Sequence, residues 1–290
     1  FAPHIHFEYR DSKSVPLNPL TMAFELEDQI MPVARELAVI PLSQNALVNA
    51  SPLTQTFPLF RDKNGVYHFP DTISVFGEFG FAMNVVDKRE GTNNVYQFHR
   101  AELMVDGNLE FELSYDRIPF NQGKFAKTMI EYDLKRKNLG EFQKLYRLPE
   151  HRKISIHSSD KSGILGLAPG VHSVEMRIFD AHGNKTIIKG TVAATFPMTL
   201  EASEIFRDDK VVTLALSPKR GGLAIRDAVV YSFTKYGFAD KKVEIIHSEQ
   251  VKKDLHITLQ LRSVSDRILQ VIGINQLGGM VDPFHWTDIK

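Results

Sequence analysis

Apolar positions along most of the chain come in short bursts bounded by Gly, Pro, Asn or Asp, and helical spacing is not sustained. Residues 34–40, 72–77, 79–86 and 96–105 are rich in β-branched and aromatic side chains and have the length of strands. The sharpest local signal is AELMVDGNLEFEL at 101–113. Two partly alternating runs flank Asp106-Gly107, a dipeptide suited to the positive φ of a tight turn, and this predicts a hairpin. Further strands are expected at 153–157, 170–179 and 185–192, with Asp180-Ala181-His182-Gly183-Asn184 as a second hairpin loop. Residues 140–148, ahead of Pro149, are expected to form a short helix.

A second β-rich unit follows, with strands expected at 211–216, 223–233, 242–247, 256–261 and 268–274. Aligning Gly183 with Gly278 lays MRIFDAHGNK over VIGINQLGGM, a faint internal repeat of strand and Gly-containing turn. The fold class expected is all-β. Residues 33–195 are read as an immunoglobulin-like β-sandwich with an insertion, and 196–290 as a second sandwich in tandem. Ahead of them, residues 4–10 read as a strand and 11–14 as a polar turn. Pro16 and Pro19 interrupt regular structure, and 21–32 form a linker.

Composition narrows the function classes. Lys+Arg 35 balances Asp+Glu 35, so no global charge argues for nucleic acid or an anionic membrane as partner. No run of about 18 or more apolar residues is present to span a bilayer. The absence of cysteine removes disulfides, thiolate nucleophiles and Cys-type zinc sites together.

Candidate chemistry concentrates in the first twenty residues. In an extended segment His4, His6 and Glu8 share one face while Ile5 and Phe7 take the other, which is how a strand offers two imidazoles to one metal or substrate. Chance alone gives about 0.4 His-x-His pairs at this histidine content, so the pair is informative only within its longer string. That string is Pro3-His4-Ile5-His6-Phe7-Glu8, then Arg10, Pro16 and Asn18-Pro19-Leu20. It resembles the closing strand of the catalytic domain in the LytM or lysostaphin-type zinc metallopeptidases, which hydrolyse peptide bonds in peptidoglycan cross-links.

The resemblance implies that His6 is a zinc ligand and His4 a catalytic histidine beside the zinc-bound water. It implies zinc as cofactor, peptidoglycan or an envelope protein as partner, and a periplasmic or outer-membrane-associated location in the cell envelope. The family draws two further ligands from an upstream His-x-x-x-Asp motif, and no histidine of this chain has Asp four positions later. The chain is therefore expected to be the C-terminal portion of such an enzyme: residues 1–20 end the catalytic domain, the upstream part of the same protein completes the site, and the portion alone is inactive. The alternative reading is a non-enzymatic envelope interaction or scaffold module built from immunoglobulin-like domains.

Other candidates have plainer readings. Glu8 reads as a salt-bridged surface carboxylate, and His68 with Asp71 and His157 with Asp160 as turn polarity. Asp180 to Asn184 has the oxygen content of a calcium loop but no acidic ladder, and reads as a hairpin. Residues 217–222 and 133–138 read as a solvated loop and a solvated face, and Trp286 as the cover of a hydrophobic edge.

Overall fold

The computed structural model describes the chain except residues 1–6, 23–26, 150–153, 157, 196–197, 220–221, 235, 262–267 and 288–290. The described chain is all-β and builds two immunoglobulin-like sandwiches in tandem. It opens with the small antiparallel pair β1 (Tyr9–Arg10) and β2 (Pro16–Leu17), followed by one helical turn at Pro19–Met22.

The first sandwich carries β3 (Val33–Pro41), β4 (Leu47–Val48), β5 (Gln55–Pro58), β6 (Phe60–Arg61), β7 (Tyr67–His68), β8 (Ile73–Phe76), β9 (Phe79–Lys88), β10 (Val95–Tyr96), β11 (Arg100–Val105), β12 (Asn108–Ser114), β13 (Gln143–Lys144), β14 (Gly170–Phe179) and β15 (Lys185–Ala194). One sheet has the order β10-β9-β3-β5, with β13 also on β9. The facing sheet runs β12-β11-β14-β15 and is extended past β15 by the parallel strands β7 and β8. Leu37, Val39, Phe81 and Met83 from one sheet meet Leu103, Leu113, Met176 and Ile188 from the other in a single core.

Local sequence explains the best-defined pieces. Asp106 (φ 48°) and Gly107 (φ 78°) supply the two positive-φ residues of the turn joining β11 to β12, with Val105 opposite Asn108. Strand β9 lacks clean alternation because both of its faces are covered. Its Ala82, together with Ala38 and Ile40 of β3, is roofed by Leu134, Phe142 and Tyr146 from the irregular stretch after β12. The expected helix at 140–148 is not formed. Its Gln143 and Lys144 instead bridge to Met83 and Ala82 of β9, and the helical turns lie earlier, between Phe120 and Arg136. Ile154 and Ile156 are buried core residues outside any strand, a second departure from the sequence pattern.

The second sandwich comprises β16 (Leu200–Arg207), β17 (Val211–Pro218), β18 (Ile225–Phe233), β19 (Ala239–Val243), β20 (Ile245–Val251), β21 (Asp254–Gln260), β22 (Ile268–Asn275) and β23 (Phe284–Thr287). Its sheets run β16-β17-β21-β20 and β19-β18-β22-β23, the ABED and C′CFG arrangement of an immunoglobulin fold. The run expected at 242–247 is two strands: the chain passes from one sheet to the other at Glu244. Trp286 lies over the edge of this core opposite Leu269, with the Arg207 guanidinium 5.5 Å from its ring. Leu47 and Ala50 of the first unit pack against Tyr231, Ile272 and Met280 of the second, so the sandwiches share an apolar contact.

Candidate functional site

Three acidic side chains distant in sequence meet at one end of the first sandwich. Asp28 precedes β3, Asp87 lies near the end of β9, and Asp180 and His182 belong to the turn between β14 and β15. That turn is shaped by Asp180 itself. Its Oδ1 accepts from the amides of His182 (2.8 Å) and Asn184 (2.9 Å), and its Oδ2 accepts from Asn184 Nδ2 (2.6 Å). Asn184 Nδ2 also donates to the Asp28 carbonyl (2.8 Å), and the Thr186 hydroxyl donates to the Pro32 carbonyl (2.5 Å). These two bonds fix the segment before β3 against the start of β15.

The electrostatics of the cluster are unbalanced. Asp28, Asp87 and Asp180 are 8%, 5% and 2% exposed, and Arg89 is buried beside them. Asp28 Oδ1 accepts from the Ile30 amide (3.1 Å), whereas Asp28 Oδ2 is buried without a hydrogen-bond donor. Its nearest basic nitrogens are Arg89 Nε at 3.7 Å and His182 Nδ1 at 3.6 Å. Asp87 Oδ1 is buried and unpartnered as well. Burial pushes the Asp87 carboxyl up to about 7, and the negative charges of Asp180 and Asp28 push it the same way. Three carboxyls facing one guanidinium leave the cluster short of positive charge when all are ionised. The ligand atoms of Asp28, Asp180 and His182 lie within 4.8 Å of one another, a group able to hold a metal ion. His182, 18% accessible, faces outward.

Of the candidates named in the sequence, Asp180 and His182, expected only as part of a hairpin loop, belong to this cluster. His4 and His6, the proposed catalytic and zinc-binding histidines, lie outside the described residues, as does His157. Glu8 accepts from Arg10 Nε (2.8 Å), the salt-bridged role expected of it. His68 pairs with Asp62 (2.9 Å) and stacks on Phe60, with ring centroids 5.4 Å apart. Residues that follow the two histidines in sequence are held on the first sandwich. Asn18 donates through its amide to the Asp116 carbonyl (2.8 Å) and through Nδ2 to the Tyr115 carbonyl (3.3 Å), and its Nδ2 lies 3.1 Å from His99 Nδ1. Arg10 sits over the Phe120 ring at 4.9 Å.

No protein-family model matches the chain, and no curated protein does. Among solved structures it is similar to the Bacteroides ovatus mixed-linkage glucan utilization locus protein SGBP-B, determined in complex with a mixed-linkage heptasaccharide. The identity is 12% and the TM-score 0.23, over 90% of this chain and 48% of that one. The chain thus spans about half the length of that protein, and a likeness at this level carries no functional reading. Among the described residues no helix is long and apolar enough to cross a membrane.

Sequence reasoning missed Asp28 and Asp87, because nothing in spacing links positions 28, 87 and 180. One signal was present in the internal repeat. The two aligned segments form equivalent turns: Asn275 Oδ1 accepts from Leu277 (2.8 Å) and Gly279 (3.1 Å) as Asp180 Oδ1 does from His182 and Asn184, and Gly183 and Gly278 take φ 88° and 78°. The turn therefore needs an Asn-like acceptor but neither a charge nor an imidazole. Asp180 and His182 exceed that need.

Proposed function

We propose that the chain is the C-terminal portion of a cell-envelope zinc metalloendopeptidase resembling the LytM-type peptidoglycan hydrolases, in which the two sandwiches carry and position the end of the catalytic domain. The observation that carries this reading is the string from Pro3 to Leu20, with its two histidines, acidic residue and Asn-Pro-Leu at the family's spacing. Support comes from the way that string continues. Asn18, through its bonds to the Asp116 and Tyr115 carbonyls, helps hold the segment on the first sandwich, with Leu17 bridged to Arg117 and Arg10 over the Phe120 ring. A strand carrying His4 and His6 would thereby be joined to a β scaffold through a short, anchored connection.

In such an enzyme zinc polarises the scissile carbonyl and activates a water, and three protein ligands leave one coordination position open. This chain contributes His6 to that set and His4 beside it. The remaining ligands belong to the upstream part of the protein, and no step is assigned to residues of the sandwiches. The test is zinc content and muropeptide release by the protein carrying the residues before Phe1. His6→Ala should remove both. Binding to peptidoglycan without hydrolysis, in a protein lacking an upstream His-x-x-x-Asp, would favour the non-enzymatic interaction module instead.

A further inference from the structure

We propose that Asp28, Asp180 and His182, with Asp87 beside them, form a binding site for a divalent transition-metal cation of the zinc class, built from residues other than His4 and His6. The inference stands independently of the peptidase reading.

The spacing suits an ion better than the contacts now made. His182 Nδ1 and Asp28 Oδ2 are 3.6 Å apart, too long for a hydrogen bond. Two ligands at zinc distances of about 2.0–2.2 Å in a tetrahedron stand roughly 3.3–3.6 Å apart. Asp180, within 4.8 Å of both, offers a further carboxylate oxygen.

A second observation points to a missing cation. The Asp28 side chain is completely buried and its Oδ2 has no hydrogen-bond donor, while Asp87 Oδ1 is orphaned in the same way. A buried carboxylate oxygen without a donor is costly, and a bound cation removes that cost. The second sandwich supplies an internal control. There Asn275 and Leu277 occupy the places of Asp180 and His182 and build the same turn, so turn formation does not account for the acid and the imidazole.

Neighbouring hydrogen bonds already hold the candidate ligands. Asn184 Nδ2 bonds both the Asp180 carboxylate (2.6 Å) and the Asp28 carbonyl (2.8 Å), fixing two ligand-bearing segments relative to each other. Arg89 is the competitor, with Nε 3.7 Å from Asp28 Oδ2 and Nη2 3.5 Å from His182 Nε2. A metal on Nδ1 leaves the imidazole proton on Nε2, so loading turns the Arg89 guanidinium away. The consequence for the molecule is a cross-link. One ion would tie the segment before β3 to the turn before β15.

The experiment uses the full chain in a His4→Ala/His6→Ala background, stripped with chelator and titrated with Zn²⁺. Expected is one equivalent of zinc retained on desalting, with a rise in melting temperature. Asp180→Asn/His182→Leu, which installs the residues of the second sandwich's turn, should weaken zinc binding at least tenfold and abolish the rise without changing the circular dichroism spectrum. If that variant loses its fold, Asp28→Asn, which neutralises the orphaned carboxylate, gives the same reading. No stoichiometric zinc in the background protein, undiminished affinity in the variants, or binding of Ca²⁺ in preference to Zn²⁺ overturns the proposal.

Discussion

Replacing Gly190 by alanine tests how the core of the first sandwich is closed. Gly190 lies in β15 opposite Val174, and the Phe69 ring rests on its backbone. A Cβ at this position would stand 2.0 Å from Phe69 Cδ2 and 2.1 Å from Cγ. Carbon atoms settle at about 3.5–4.0 Å, so the ring must retreat by roughly 1.5 Å. Phe69 is buried in the central cluster, its ring 6.2 Å from that of Phe81, and has little room to move. Overpacking of this kind costs about 1–3 kcal/mol, and complete ejection of the ring is bounded by the about 3–5 kcal/mol of a Phe→Ala truncation. Alanine recovers about 0.5–1 kcal/mol of backbone entropy. The net expectation is a loss of about 1–4 kcal/mol.

Urea unfolding followed by far-UV circular dichroism reads both sandwiches, whereas fluorescence of the single tryptophan, Trp286, reads the second. Gly190→Ala should shift the dichroism midpoint well beyond the fluorescence midpoint. If the clash is the cause, Gly190→Ala/Phe69→Ala should be as stable as Phe69→Ala or up to about 1 kcal/mol more stable. Full stability of Gly190→Ala, or additive losses in the double variant, would refute the reasoning.

The His172–Asp106 pair supplies a pH test. His172 Nδ1 lies 2.6 Å from Asp106 Oδ2 and Nε2 lies 2.7 Å from the Ala168 carbonyl, so the doubly protonated ring serves both acceptors. The bond to Asp106 raises the His172 pKa above its usual value, and the bond from His172 lowers that of Asp106. The histidine contribution is complete below about pH 6.5 and fades as pH rises through the raised value, and the carboxylate contribution fades as pH falls below about 4. The stability gap between wild type and Asp106→Asn should therefore narrow from pH 6 to pH 8, and a gap constant across that range contradicts the pairing. Asn18→Ala removes the Nδ2 bond to the Tyr115 carbonyl and should speed exchange of the residue 18 amide, which donates to the Asp116 carbonyl, at least several-fold without lowering the global midpoint, since a typical net hydrogen bond is worth about 1 kcal/mol; unchanged exchange would mean the segment is held otherwise. Met280→Ala, at the contact between the sandwiches, should cost about 2–4 kcal/mol and widen the gap between the dichroism and fluorescence midpoints, whereas an unchanged gap would show that other contacts couple the units.

The parts of the fold legible in the sequence were those whose information is local. The Asp106-Gly107 turn needs positive φ at two adjacent residues, and the alternating burial of β11 and β21 appears directly as apolar periodicity. Strand β16 escaped because it is almost wholly exposed after Leu200, and LEASEIFR shows no face to bury. The region around Phe142 looked helical because its apolar residues cover the outside of β3 and β9, a tertiary role that periodicity does not encode. The acidic cluster is non-local in the same sense: Asp28, Asp87 and Asp180 become neighbours only when the chain closes its sandwich. Only Asp180 and His182, set against Asn275 and Leu277 in the repeat, carried a trace of it.

The peptidase reading is tested most directly by muropeptide release from purified peptidoglycan, using the protein that includes the residues before Phe1 and its His6→Ala variant. Expected is zinc-dependent release by the first and loss of both zinc and release in the second. Release that survives His6→Ala, or an upstream sequence without His-x-x-x-Asp, contradicts the proposal.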